Sequence, residues 1–136
     1  MFKFAATKIP FTKSEGYLAR AVHPGNFSVV TGACQMVRRD VFEQVGGYNE
    51  KFAVGFKDTD FCLRVWKAGY RTIFTPYAEL YHYVFNSYGR EEANEEKLRR
   101  WKCEQALFMQ RWPEYFVGKD PWLNSNLSSE SGYFAL

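Results

Sequence analysis

The feature that most limits the folds open to this chain is an apolar stripe toward its C-terminal end. Leu98, Trp101, Phe108 and Trp112 recur at helical spacings, and a stripe of this kind buries one side of a helix against a core. Glu95/Arg99 and Glu96/Arg100 are i,i+4 pairs in the favourable order. Acidic residues gather at the start of the segment, where they suit the positive end of the helix dipole. Pro113 lies just past the far end. The spacing predicts a helix over about residues 90–111, the longest element of the chain.

Upstream, the sequence is punctuated into shorter pieces. Phe27 to Val37 is valine-dense and reads as a buried strand, with Gly32 as its weak point. Asp40-Val41-Phe42-Glu43 has the spacing of a capping box and predicts a short helix there. Gly46-Gly47 closes it, because glycine takes the left-handed conformation of a helix end at little cost. Tyr48 to Lys57 reads as loop. Asp58-Thr59-Asp60 opens a second helix, Phe61 to Ala68, which Gly69 stops. In it Cys62, Val65 and Trp66 share a face, and Asp60 and Arg64 are spaced to pair. Tyr70 to Thr75 reads as a strand ended by Pro76, and Leu80 to Val84 as another. Residues 1–26 form an irregular lead-in punctuated by Pro10, Gly16 and His23-Pro24-Gly25-Asn26, and residues 118–136 an irregular tail. Strands mixed with helices make the class α/β: a few short strands packed with three helices.

At 136 residues the chain is long enough for a single domain, 1–136, with a modest core. Hydrophobic residues at 46% and charged residues at 24% exclude a disordered segment. The aromatic share, 19%, is high; rings of this kind fill a core or line a groove against the apolar faces of sugars. A net charge of +3 suits a phosphate-bearing substrate or weak attraction to an anionic membrane surface. It is too small and too dispersed for nucleic acid, since the basic pairs are only Arg38-Arg39 and Arg99-Arg100. Cys34, Cys62 and Cys103 form no C-x-x-C and are odd in number, so buried free thiols are expected rather than disulfides or zinc. No apolar run approaches a membrane span. The expected location is cytoplasmic, with peripheral contact at the inner face of the membrane left open.

Two places carry candidate chemistry. The literal D-x-D of Asp58 and Asp60 can hold a divalent cation or supply a general base; equally, it can be a helix cap with a surface pair. His82, among Leu80, Tyr81, Tyr83 and Val84, can ligate a metal or bind phosphate, or it can be a packed, hydrogen-bonded residue. Gly46-Gly47 permits close approach of a ligand, although a helix stop explains it. His23, before Pro24, reads as solvated. No dinucleotide, Walker or nucleophile-elbow pattern occurs. Spacing alone leaves a soluble α/β domain with an acidic site.

The order of segments adds more. Thr31-Gly32-Ala33-Cys34-Gln35-Met36-Val37-Arg38-Arg39 is followed by Val41-Phe42-Glu43-Gln44-Val45-Gly46-Gly47-Tyr48-Asn49-Glu50. Then come Phe56-Lys57-Asp58-Thr59-Asp60-Phe61-Cys62-Leu63-Arg64, Gly69-Tyr70-Arg71, Pro76 and Tyr81-His82. With the ending Asp120-Pro121-Trp122-Leu123-Asn124-Ser125-Asn126-Leu127-Ser128, this series resembles the C-terminal, acceptor-side half of bacterial family 2 glycosyltransferases of GT-A fold, over roughly residues 27–128.

The resemblance implies an inverting transfer from a nucleotide-sugar donor to a saccharide hydroxyl, in cell-surface polysaccharide synthesis. It implies Asp58 as catalytic base. It implies His82 as a contact to Mg or Mn or to the departing diphosphate. Gly32 and Ala33 are then small residues near the donor sugar; Gly46, Gly47 and Glu50 shape the acceptor side; Asp60 and Arg64 belong to the substrate-binding set. Two features depart from the family: Lys57 stands where Glu usually precedes the base, and nothing in residues 1–26 corresponds to the nucleotide-binding βαβ half. The chain alone is therefore expected to be inactive and to bind no metal, and to self-associate through the face that half would cover. The competing reading is a non-catalytic carbohydrate-binding or protein-interaction module on a transferase scaffold.

Overall fold

The computed structural model of the protein describes residue 19 and residues 21–78, 94–117 and 120–122. In chain order its elements are β1 (Gly25–Phe27), a 3-10 turn (Gly32–Cys34), α1 (Arg39–Gln44), α2 (Lys57–Lys67), β2 (Thr72–Phe74), α3 (Glu95–Arg111) and α4 (Pro113–Val117). β1 and β2 pair antiparallel with Asn26 opposite Ile73, and the rings of Phe27 and Phe74 meet edge to face at 5.7 Å.

α2 is the central element. Phe61, Cys62, Leu63 and Val65 are all buried, so the helix is covered on more than one side. On one side it packs into a cluster of Val29, Phe52, Cys62, Leu63, Phe108 and Trp112. On the other, Phe61 and Val65 meet Val41, with Phe42, Val45 and Tyr70 around them. Phe52, Phe61, Leu63 and Phe108 are completely enclosed, and each such side chain contributes about 1.5–3 kcal/mol of transfer free energy. α3 reaches this core through Phe108 and Trp112, the C-terminal half of the stripe. Leu98 and Trp101 are half-buried.

Several sequence expectations are corrected. The strand over Phe27–Val37 ends at Phe27, and the chain turns at Gly32–Cys34. Thr31 caps that turn through its side-chain oxygen, which accepts from the Ala33 N–H at 3.3 Å, and this replaces ladder bonds. α1 begins before Asp40, with Arg38 at its cap; the Asp40 carboxylate is held by the Arg38 guanidinium instead of closing a capping box. α2 begins at Lys57, so Asp58 and Asp60 both lie inside its first turn. Trp66 is exposed, unlike Cys62 and Val65. Of the three thiols only Cys62 is buried. Among the described residues the helices number four rather than three, because Pro113 opens α4 immediately after α3 ends.

Other expectations hold. Gly46 (φ 81°), Gly47 (φ 66°) and Gly69 (φ 88°) adopt the left-handed backbone of helix ends. Residues Tyr70 to Thr75 contain β2, followed by Pro76. The helix expected over about residues 90–111 is α3, but it starts later, at Glu95, because Asn94 caps it with a side-chain oxygen that accepts from the Lys97 N–H at 2.8 Å. Asp120, at the start of the tail, accepts from the Ser28 hydroxyl and the Trp122 N–H, both at 2.8 Å. His82, the Leu80–Val84 strand and most of the lead-in and tail lie outside the described residues. No described helix is long and apolar enough to cross a membrane.

Candidate active site

The loop into α2 ends on an unusual residue. Phe56 caps the helix in the left-handed conformation, φ 59°, which costs a non-glycine residue about 1–3 kcal/mol. Its ring stacks on Phe108 at 5.0 Å and lies 6.0 Å from Trp101. This contact holds the strained residue in place, and the first turn of α2 follows directly.

Asp58 sits in that turn, half-buried. Its Oδ1 accepts from the Thr59 N–H at 2.9 Å, and its Oδ2 accepts from the Gly32 N–H at 2.8 Å. Twenty-six residues of chain separate Gly32 from Asp58, so this contact joins the 3-10 turn to the helix N-terminus. A Cβ at position 32 would lie 3.2 Å from the Asp58 Cβ, so glycine allows the approach. Gly32, Ala33 and Asp58 are thus brought to one place, with Gly32 and Ala33 exposed.

A polar chain runs beside them. The Tyr48 hydroxyl donates to Gln35 Oε1 at 2.8 Å, and Gln35 Nε2 donates to Cys62 Sγ at 3.1 Å. Burial, then the neighbouring Cys62 and Asp58, push the Tyr48 hydroxyl above its ordinary value. Burial likewise pushes the Cys62 thiol up, and Asp58 adds to the shift. Tyr48 and Gln35 escaped the sequence reading as site residues. Both stand inside the motif segments, and only their contact across the fold marks them.

Asp60 has a different setting. It is fully enclosed; its carboxylate accepts from Arg64 Nε at 2.8 Å and Trp112 Nε1 at 3.0 Å, and forms an ion pair with Arg111 Nε at 2.8 Å. The expected Asp60–Arg64 pair is therefore present, and Arg64 also donates to the Val45 carbonyl at 2.5 Å. The group ties α2 to the ends of α1 and α3; the Asp60 carboxylate has no exposed surface, while the Arg111 side chain is 44% exposed. Gly46 and Gly47 close α1; a Cβ at 47 would meet the Phe42 ring at 3.1 Å. Glu50 is exposed in the loop ahead of α2.

Among the described residues no group of three or more His, Cys, Asp or Glu side chains is placed to hold a metal ion. Asp58 and Asp60 face different neighbours, and both oxygens of Asp58 already accept backbone donors. The described donor set therefore does not fit a divalent cation without further ligands.

The described residues combine helices with a small two-stranded antiparallel sheet and present one half-buried carboxylate at a helix N-terminus, tied to a glycine turn. Sequence comparison supplies the family. The profile of glycosyl transferase family group 2 matches residues 4–129, and the chain belongs to that family. It is 41% identical over 122 residues to an uncharacterized protein, y4gI, of Sinorhizobium fredii, covering 89% of this chain and 13% of that protein. It is 38% identical over 65 residues to the N-acetylglucosaminyl-diphospho-decaprenol L-rhamnosyltransferase of Mycobacterium tuberculosis, covering 48% of this chain and 21% of the other. The O-antigen biosynthesis protein RfbC of Myxococcus xanthus is 40% identical over 58 residues, covering 43% of this chain and 4% of that protein. The chain thus spans at most about a fifth of the length of these relatives. No solved structure matches it with significance.

Proposed function

We propose that this chain forms the acceptor side of an inverting, GT-A-type glycosyltransferase, with Asp58 as general base. A saccharide hydroxyl gives its proton to the Asp58 carboxylate as its oxygen attacks the anomeric carbon of a nucleotide-sugar. The bond from that carbon to the diphosphate oxygen breaks, and the nucleoside diphosphate leaves with the electron pair. The observation that carries the reading is the Gly32–Asp58 contact. It sets a small, exposed turn against a carboxylate at a helix start, where loops meet ligands.

Gly32 and Ala33 lie toward the donor sugar, and Gly46, Gly47 and Glu50 toward the acceptor. Asp60 and Arg64 act on substrate only through the scaffold, since Asp60 is enclosed. In the complete enzyme a divalent metal, Mg or Mn, would offset charge on the leaving diphosphate; His82 is the residue of this chain that would contact it, with the remaining ligands supplied from outside the described residues. The names of the relatives support a product in surface polysaccharide synthesis, made at the cytoplasmic side of the membrane. The nucleotide-binding half lies outside these residues, so the chain alone does not turn over.

The test joins residues 27–128 behind the nucleotide-binding half of a family 2 glycosyltransferase. Transfer by the fusion, lost in Asp58→Asn, is the expected result. Equal transfer by both proteins overturns the role of Asp58, and turnover by the 136-residue chain alone overturns the division of labour. Lys57 beside Asp58 favours a second reading, a saccharide-binding module without chemistry. It predicts saccharide binding by the chain that Asp58→Asn leaves intact, and a fusion without transfer.

A further inference from the structure

We infer that Glu104 is a positioning residue for Asp58, acting through the loop that delivers the helix N-terminus. The inference deepens the reading of Asp58 as base and rests on it for its catalytic meaning; the geometry stands by itself. Glu104 lies on α3 and is only 5% exposed. Its Oε1 accepts from the N–H groups of Ala53 at 3.1 Å and Val54 at 3.4 Å, and its Oε2 from that of Gly55 at 2.6 Å. Successive backbone N–H groups converging on one anion form a cradle, and here the anion is the protein's own side chain. Arg100 Nε, at 4.0 Å, offsets the charge.

The cradle ends one residue before Phe56, whose backbone is left-handed, and two residues after Phe56 stands Asp58. A Cβ on Gly55 would come 3.1 Å from Glu104 Oε2 and 3.6 Å from the Trp101 ring, so the loop lies directly on α3. A left-handed phenylalanine persists only where its surroundings over-determine it. Glu104 fixes the three residues before it, and Phe108 and Trp101 fix its ring. From Thr59 onward α2 has anchors besides this loop, because Thr59 is buried, Asp60 is clamped, and the two core clusters take up Phe61, Cys62, Leu63 and Val65. Loss of the Glu104 bonds therefore frees Lys57 and Asp58, the residues of α2 ahead of Thr59, and the Asp58 carboxylate leaves the Gly32 N–H.

Gly32 does not touch Glu104, so its amide reports the effect at a distance. The experiment records amide shifts and hydrogen exchange in the isotope-labelled chain for wild type, Glu104→Gln, Glu104→Asp and Asp58→Ala. A glutamine offers one acceptor oxygen to three N–H donors and turns an NH2 toward another. The expected result in Glu104→Gln is a Gly32 shift displaced toward its Asp58→Ala position, with exchange faster by on the order of tenfold. The Gly47 and Val65 amides stay unchanged, and Glu104→Asp, which keeps both oxygens, recovers part of the Gly32 protection. Loss of protection at 53–55 with Gly32 unmoved overturns the inference, as does uniform loss at every amide. If Glu104→Gln fails to fold, Gly55→Ala displaces Oε2 with the glutamate intact and is read by the same criteria. In the transferring fusion, Glu104→Gln lowers kcat more than it raises the acceptor KM. A fusion indifferent to both Asp58→Asn and Glu104→Gln refutes the base, while the Gly32 shift still judges the positioning.

Discussion

Asp58 and Asp60 are two residues apart, chemically identical, and in opposite circumstances. Asp58 is half-buried and accepts two backbone N–H groups at an open turn. Asp60 is completely enclosed, accepts from Arg64 and Trp112, and is paired ionically with Arg111. Helix geometry makes the difference, because at 3.6 residues per turn positions i and i+2 point about 200° apart. In a loop a D-x-D can close both carboxylates on one cation. Inside a helix the same letters split the pair, one toward solvent and one toward the core. The pattern does not say which is chemical and which is structural; the partners on each face do.

Asparagine at each position separates the two roles. Asp58→Asn is expected to lower transfer by the fusion by about 10²–10⁴-fold, equivalent to about 3–5 kcal/mol of barrier. Its unfolding free energy should change by only about 1–2 kcal/mol, since the amide oxygen still accepts from Gly32 and the bond lost is the local one from the Thr59 N–H. Asp60→Asn should show the reverse profile. It leaves the largely buried Arg64 facing a neutral group, while Arg111, 44% exposed, can turn to water; breaking a buried pair such as Asp60–Arg64 costs about 3–5 kcal/mol, read by urea unfolding of the chain itself. If Asp58→Asn proves the more destabilising of the two, the assignment of roles is inverted.

Gly32→Ala probes the open side more gently. The new Cβ lies 3.2 Å from that of Asp58, so turn and helix start must separate by a few tenths of an ångström. A cost of about 1 kcal/mol is expected from the overpacking, together with faster exchange of the residue-32 amide. An alanine variant with unaltered stability and exchange would mean that the contact is loose and that Asp58 is placed by other means.

How far the sequence reveals this arrangement depends on which kind of interaction places each residue. Glycine stops are local, and Gly46, Gly47 and Gly69 act as their type implies. The Asp60–Arg64 pair is one helical turn long and equally local. Arg111 and Trp112, which complete the Asp60 clamp, come from a helix about fifty residues away and carry no local signal. The strand expected from Phe27 to Val37 fails for the same reason: a valine-rich run promises burial, but only the fold shows that Gly32 is needed against Asp58. Glu104 was legible in principle. It follows Trp101 by three residues and precedes Phe108 by four, so it falls within the apolar stripe. A carboxylate at a core-facing helix position needs partners, and here these are backbone N–H groups that no residue type announces.

The smallest expected effect compares the two acids through a third group. Cys62 lies on the buried side of α2, where burial raises its thiol above the ordinary value of 9.0 and Asp58 contributes further. Because the thiol is harder to ionise in the folded chain than in the unfolded one, the unfolded state loses its proton first. The stability held by the neutral thiol is full below about pH 9 and falls as pH rises through the raised value. Burial also pushes the Tyr115 hydroxyl well above its ordinary 10.0 and extends the decline at higher pH. Cys62→Ala should therefore flatten the first part of the alkaline limb in urea unfolding. In a chain with Cys34 and Cys103, both exposed, replaced by serine, thiolate absorbance should titrate at lower pH when Asp58 becomes asparagine. Asp60→Asn should leave that titration in place for as long as the chain stays folded, since Asp60 spends its charge on its own donors. A thiol that responds equally to both substitutions would show the two carboxylates sharing one electrostatic environment, and the division of the helix into a chemical and a structural face would fail.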